Sequence, residues 1–177
     1  FRPVAENCQE GTPESMNKFK ELILSVSAEP SIVIHLGAGT CSELDFYQSL
    51  AVNRIIFTEP DPELAGIAGN KFIDMTGVSV VTTAVAVGDG QQVLNIANNR
   101  RFSSLLTPAR LLDFYPNIEI IDRKKVDTTT LEKLCQGAGI DNTTDNLLVI
   151  EAQGLEKEII PATVKHILQS FKWVIIR

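Results

Sequence analysis

Long apolar runs are missing from this chain. A bilayer span needs roughly 18 to 20 consecutive apolar residues, and the longest stretches, 31–36 and 78–81, fall far short of that. No membrane partner is therefore expected. Cysteine is scarce too: three residues, an odd number with no CxxC spacing, argue against a disulfide framework and fit a reducing compartment, read here as cytoplasmic. With only two histidines beside them, no metal cluster is expected. Basic residues are outnumbered, 16 Lys and Arg against 22 Asp and Glu for a net charge of −6, so a phosphate backbone is repelled and nucleic acid is not expected as a partner. Repeats, low-complexity blocks and the basic-then-apolar pattern of a signal peptide are all lacking. The chain begins at Phe1 without an initiator Met and ends just after an apolar β-branched run. This reading expects neighbouring domains of a longer polypeptide and a sheet continued beyond Arg177.

What is present is 44% apolar residues in 177, enough for one core and too short for two ordinary domains. An N-terminal segment and helix fill 1–30. Residues 1–11 are polar and irregular; Thr12 and Pro13 form a cap and first helical position, and Met16, Phe19, Ile23 and Val26 recur at helical spacing up to about Ala28. A Rossmann-like unit is predicted over 31–177. The run 31–36 reads as a strand buried on both faces, 37–40 as a turn, 42–50 as a helix, 54–58 as a second strand and 63–72 as a helix, which together make a βαβ unit. Residues 78–87 supply a third strand and its continuation. Segments 91–97 and 118–126 are expected to pair antiparallel around a polar, irregular 98–116. Thr128 or Thr129 should cap a helix to Gln136, 146–151 is a further buried strand, Pro161 should split 155–171 into a turn and a helix, and 173–176 is the last strand. The expected fold class is α/β: a doubly wound, mainly parallel sheet with helices on both faces and a small antiparallel insertion.

In such sheets ligands bind beyond the carboxyl ends of the strands, where strand order reverses. There the sequence places Gly37, Ala38, Gly39 and Thr40 after the first strand, Glu59 with Pro60 and Asp61 after the second, and Glu151 after a later one. Glycines let a backbone approach a ligand closely. Glu59 stands 20 residues after Gly39, the separation at which an acid accepts hydrogen bonds from a ribose diol. The pattern reads as a nucleoside site. A nicotinamide dehydrogenase fits the same geometry, but its fingerprint wants a third small residue where Ser42 stands and a second half uninterrupted by the polar insertion 91–126.

Six segments in order, IHLGAGTC (34–41), FTEPDP (57–62), AVAVG (84–88), SSL (103–105), VDTTTL (126–131) and LVIEAQGLE (148–156), resemble the FkbM family of S-adenosylmethionine-dependent methyltransferases. The resemblance implies a class I methyltransferase fold, lacking its last strands here. It places the methionine end of S-adenosylmethionine over Gly37 to Gly39, the ribose on Glu59, and the adenine near Ala84 and Val85. Glu151, Gln153 and Glu156 would stand at the substrate-facing end, with Glu151 and Gln153 as candidate catalytic residues. The implied reaction is O-methylation of a sugar, a glycan or a natural-product hydroxyl. Three places depart from the family pattern: His35 replaces an acid that helps bind the amino-acid end of the cofactor, Cys41 replaces a third glycine, with a Cβ that disfavours φ > 0, and Glu151 with Ala152 and Gln153 stands where the family favours Asp and a further acid.

Each candidate carries a plainer alternative. His35 is either an altered cofactor contact or a hydrogen-bonded structural histidine. Cys41 is either an activated thiol at a helix start or a small turn-filling residue. Glu59 is otherwise a solvated strand-end acid. Glu151, as a general base, needs a pKa raised by burial; otherwise it caps the next helix. Arg100, Arg101 and 123–125 either meet an anionic acceptor or are a solvated charge run. A catalytically degenerate methyltransferase fold, serving as a binding or scaffolding module in a larger glycan- or surface-modifying protein, is the alternative function.

Overall fold

Two-sided burial sets the architecture. In the computed structural model, residues 13–25, 29–107, 111–140 and 145–177 are described; the expected segment 1–11, the Thr12 cap and Val26 lie outside them. In chain order come α1 (Pro13–Ser25), β1 (Ile32–Leu36), α2 (Leu44–Ser49), β2 (Arg54–Thr58), α3 (Pro62–Phe72), β3 (Val78–Val81) and β4 (Ala84–Val85). Then follow β5 (Gly90–Ala97), a 3-10 turn (Arg100–Phe102), α4 (Leu111–Phe114), β6 (Ile120–Thr129) and α5 (Leu131–Gly137). The last elements are β7 (Asn146–Ile150), α6 (Glu156–Ala162), α7 (Lys165–Leu168) and β8 (Trp173–Ile176).

Successive strand side chains face opposite ways. In β1, β2 and β7 both parities are apolar, so helices cover both faces. One face gathers Phe19 and Ile23 of α1 with Val33, Tyr47, Phe57, Leu147 and Val149. The other gathers Ile34, Ile56, Leu148 and Ile150 with Leu131, Ile159, Ile167 and Phe171 from the helices that follow the insertion. Burying each such side chain contributes roughly 2 kcal/mol. The result is α/β and Rossmann-like: a five-stranded, wholly parallel sheet of order β3-β2-β1-β7-β8. The chain steps outward from β1 to β3, then returns to lay β7 against the other side of β1. The strand order therefore reverses between β1 and β7.

The insertion is a second sheet of order β4-β6-β5. Its β5 and β6 pair antiparallel, from Gly90 opposite Thr128 to Leu94 opposite Lys124, as the sequence predicts. Three boundaries differ from expectation. The stretch 78–87 is not one continuous strand: β3 stays in the main sheet, and β4 joins β6 in the small one. Thr128 and Thr129 remain in the β6 ladder, so the α5 cap falls to Thr130, whose side chain accepts from the Lys133 amide. Pro161 lies inside α6. The break comes at Thr163, whose hydroxyl bonds back to the Ile159 carbonyl at 2.7 Å. Among the described residues no helix is long and apolar enough to cross a membrane.

Candidate functional site

The turn after β1 is anchored on both sides. The amides of Gly37 and Ala38 donate to the Thr58 carbonyl at the end of β2, at 2.9 and 3.0 Å. Gly37 has φ +73°, and a Cβ there would fall 2.1 Å from the Glu151 carbonyl oxygen. Only glycine lets this turn lie flat against the end of β7. Gly39 also has positive φ, but a Cβ there meets nothing within 4 Å.

Glu59 then ties the turn to β2. One carboxylate oxygen accepts from the Gly39 amide at 2.7 Å and the other from the Asp61 amide at 2.8 Å. The residue is 6% exposed, and burial pushes its carboxyl up to about 7 despite those two backbone bonds. Asp61 is 1% exposed. It caps α3 through the Glu63 amide and takes the guanidinium of Arg100 and the ammonium of Lys124 from the insertion. These ion pairs hold the 3-10 turn over the end of β2.

At the end of β7, Gln153 adopts a left-handed backbone, φ 51°. Its carbonyl accepts from the Ser104 hydroxyl at 3.0 Å, so the insertion touches this loop as well. Beside it runs a chain of polar groups. His35 is fully buried, with one ring nitrogen 3.0 Å from the Tyr47 hydroxyl and the other 3.1 Å from Glu151 Oε1. Burial pushes the Tyr47 phenol well up, so it keeps its proton. In the neutral imidazole, Tyr47 therefore donates to Nδ1, and Nε2–H donates to Glu151. The guanidinium of Arg177 completes the chain, 2.6 Å from Glu151 and 2.9 Å from Glu43.

These elements enclose one cleft of ≈ 1220 Å³, its solvent mouth included. The structure brings to it Gly37, Ala38, Gly39 and Thr40, then Glu59, Pro60 and Asp61. Ala84, Val85, Glu151 and Gln153 line it too. Four readings change. His35 does not line the cleft: it stands one layer behind, positioning Glu151. Glu151 does not have the raised pKa a general base needs. Burial pushes its carboxyl up, but its interactions with His35, Arg177 and Arg101 outweigh burial and hold it below its ordinary value. Cys41 adopts φ 57° in spite of its Cβ. Its thiol is pushed up by burial and by Glu59 and Glu43, the opposite of an activated nucleophile. Glu156 spends its carboxylate on the Gly154 amide at 2.8 Å, inside its own turn.

Glu43 and Arg177 line the cleft and were not picked out from the sequence. Arg177 had a signal, because it directly follows a parallel strand. Glu43 had only its place after the Gly-rich turn. Arg177→Met would leave two neighbouring, mostly buried carboxylates without their cation. Its expected cost is roughly 2 to 4 kcal/mol at pH 7, as urea titration will read. An unchanged urea midpoint would deny the ion pairs their role.

No protein-family model matches the chain, and no curated protein matches it. The cleft alone therefore argues for function. Among the described residues no group of three or more His, Cys, Asp or Glu is placed to hold a metal ion. Carboxylates stand at the ends of β1's two neighbours, small residues lie between them, and Leu64, Leu94 and Leu105 supply apolar wall. The cleft thus offers a ligand both carboxylates and an apolar wall.

Proposed function

We propose that the cleft binds S-adenosylmethionine and that the protein is a class I methyltransferase of the FkbM type, acting on an oxygen of a sugar, glycan or natural-product hydroxyl. One observation carries the reading. At the reversal of strand order, the carboxylate ending β2 reaches the Gly-rich turn after β1 and holds the Gly39 amide.

The residues present fit such a cofactor. Each carboxylate oxygen of Glu59 has a second lone pair after its backbone bond, available to ribose hydroxyls. Open space beside Gly39 admits a close approach. Ala84, Val85 and Leu94 offer an apolar bed for a base. Arg177 offers N–H groups to a ligand carboxylate, while Glu43 and Glu151 favour a cationic centre near it. Bound S-adenosylmethionine supplies a methyl group activated on a sulfonium. The protein's own part is to align an acceptor oxygen behind that methyl and to limit water. Because Glu151 is an ion-paired carboxylate held below its ordinary value, its role is to fix Arg177 and the loop of Gln153. Catalysis then rests on proximity and orientation.

A binding or scaffolding module without turnover is the second reading. It is favoured by the observation that both Glu59 oxygens and both acids beside Arg177 already have partners within the chain. Calorimetric titration with S-adenosylmethionine and S-adenosylhomocysteine tests the first reading. The expected result is micromolar binding of both, weakened at least tenfold in Glu59→Ala. No heat at millimolar cofactor, with the protein shown to be folded, would overturn it in favour of the second.

A further inference from the structure

The charges lining the cleft pair off almost completely. Asp61 takes Arg100 and Lys124, and Glu63 outside the cleft takes the same two. Glu43 and Glu151 share Arg177. Glu59 is satisfied by two backbone amides. Arg123, farther along the insertion, donates to Asn95. Arg101 is left over. It lines the cleft from the 3-10 turn as an exposed side chain, and among the described residues its guanidinium makes no ion pair or hydrogen bond, although its charge reaches Glu151. Its backbone amide donates to the Asn99 side chain.

Its place in the cleft says which part of a ligand it would meet. The 3-10 turn leads directly into Ser103 and Ser104, and Ser104 bonds the Gln153 carbonyl, so Arg101 stands at the wall joining the insertion to the end of β7. The Gly-rich turn and Glu59 occupy the other end. A guanidinium lining a cleft, whose neighbouring acids have their direct ion pairs elsewhere, is complementary to an anion brought by the ligand.

We infer that the acceptor carries an anionic group, a phosphate or a carboxylate on a sugar, and that Arg101 binds it. This rests on the methyltransferase reading and narrows its substrate class. Uncharged polyol or macrolide-like acceptors would leave Arg101 without a role.

The test uses the whole protein saturated with S-adenosylhomocysteine, so that failure of the cofactor to bind is seen first and counts against the function itself. Glucose, glucose 1-phosphate and glucuronate are then titrated at fixed ionic strength while amide NMR signals are followed. Glucose 1-phosphate is expected to shift signals of residues 101–105 and 153–154, and glucose is not. A response to glucuronate as well assigns carboxylates to the class; its absence narrows the class to phosphates. Arg101→Gln should weaken binding of the phosphate at least fivefold while leaving S-adenosylhomocysteine affinity within twofold. Lys165→Gln, an exposed change on α7 away from the cleft lining, should do neither. Equal responses to all three sugars, no response to any, or an unchanged Arg101→Gln titration would overturn the inference. So would a matching loss of cofactor affinity in Arg101→Gln, which would assign the guanidinium to the cofactor's own carboxylate.

Discussion

Gly37→Ala is expected to destabilise the protein by about 3 to 5 kcal/mol, the left-handed penalty and a backbone clash acting together. The new methyl would lie 2.1 Å from the Glu151 carbonyl oxygen and 3.0 Å from its carbon. Neither atom belongs to a flexible side chain that can swing aside. Relief requires the turn to lift off β7, which would break the amide bonds from Gly37 and Ala38 to Thr58 and carry the Gly39 amide away from Glu59. Gly39→Ala is the control. It shares a positive φ but meets nothing within 4 Å, so its cost should be about 1 to 2 kcal/mol. Urea midpoints measure both. Equal losses at the two positions would show that the turn does not rest on the end of β7.

Glu59 should make the protein less stable as pH rises from about 4.5 to about 7. Its carboxyl is raised in the folded chain from an ordinary 4.5 to about 7 by burial. Between those values the folded state holds a proton that the unfolded state has released. The unfolded state thus binds fewer protons, and unfolding free energy falls with increasing pH, by about 3 kcal/mol across the window. Glu59→Gln should remove that slope. The amide gives up one of the two backbone bonds, a loss independent of pH of about 1 to 3 kcal/mol. Glu151 acts in the other direction and in another window: its depressed carboxyl contributes stability above its ordinary pKa that is lost as pH falls below it. Parallel stability profiles for wild type and Glu59→Gln between pH 4.5 and 8 would contradict this assignment. Ribose hydroxyls favour the ionised carboxylate, so cofactor binding near pH 6 should also release a proton. Calorimetry in buffers of different ionisation enthalpy reads that release directly.

The strands were legible because burial on both faces leaves uninterrupted apolar runs, and β1, β2 and β7 are such runs. The turn at β4 was less so. Val78 to Val87 is β-branched or small throughout, so Thr82 and Thr83, where the chain leaves one sheet for another, read as the continuation of one strand. At the site, the 20-residue spacing from Gly39 to Glu59 foretold an acid beside the turn, and a direct hydrogen bond joins them. Spacing does not tell which way an amide points, so the carboxylate's part in holding the turn was hidden. His35 could have been placed. It lies two residues after Val33, hence on the same strand face, toward Tyr47 and Phe57 and away from the cleft. For Arg177 the place after a strand was visible but its pairing was not: its partners Glu43 and Glu151 are distant in sequence, and only the parallel order of β1, β7 and β8 gathers them.

That order has a mechanical consequence. Among the described residues β8 borders the sheet, bonded on one side to β7, with Val174 and Ile176 exposed. The residue after it bridges two acids inside the cleft. Any displacement of β8 along its axis would therefore be carried over a single peptide link to the guanidinium that holds the two acids of the cleft together.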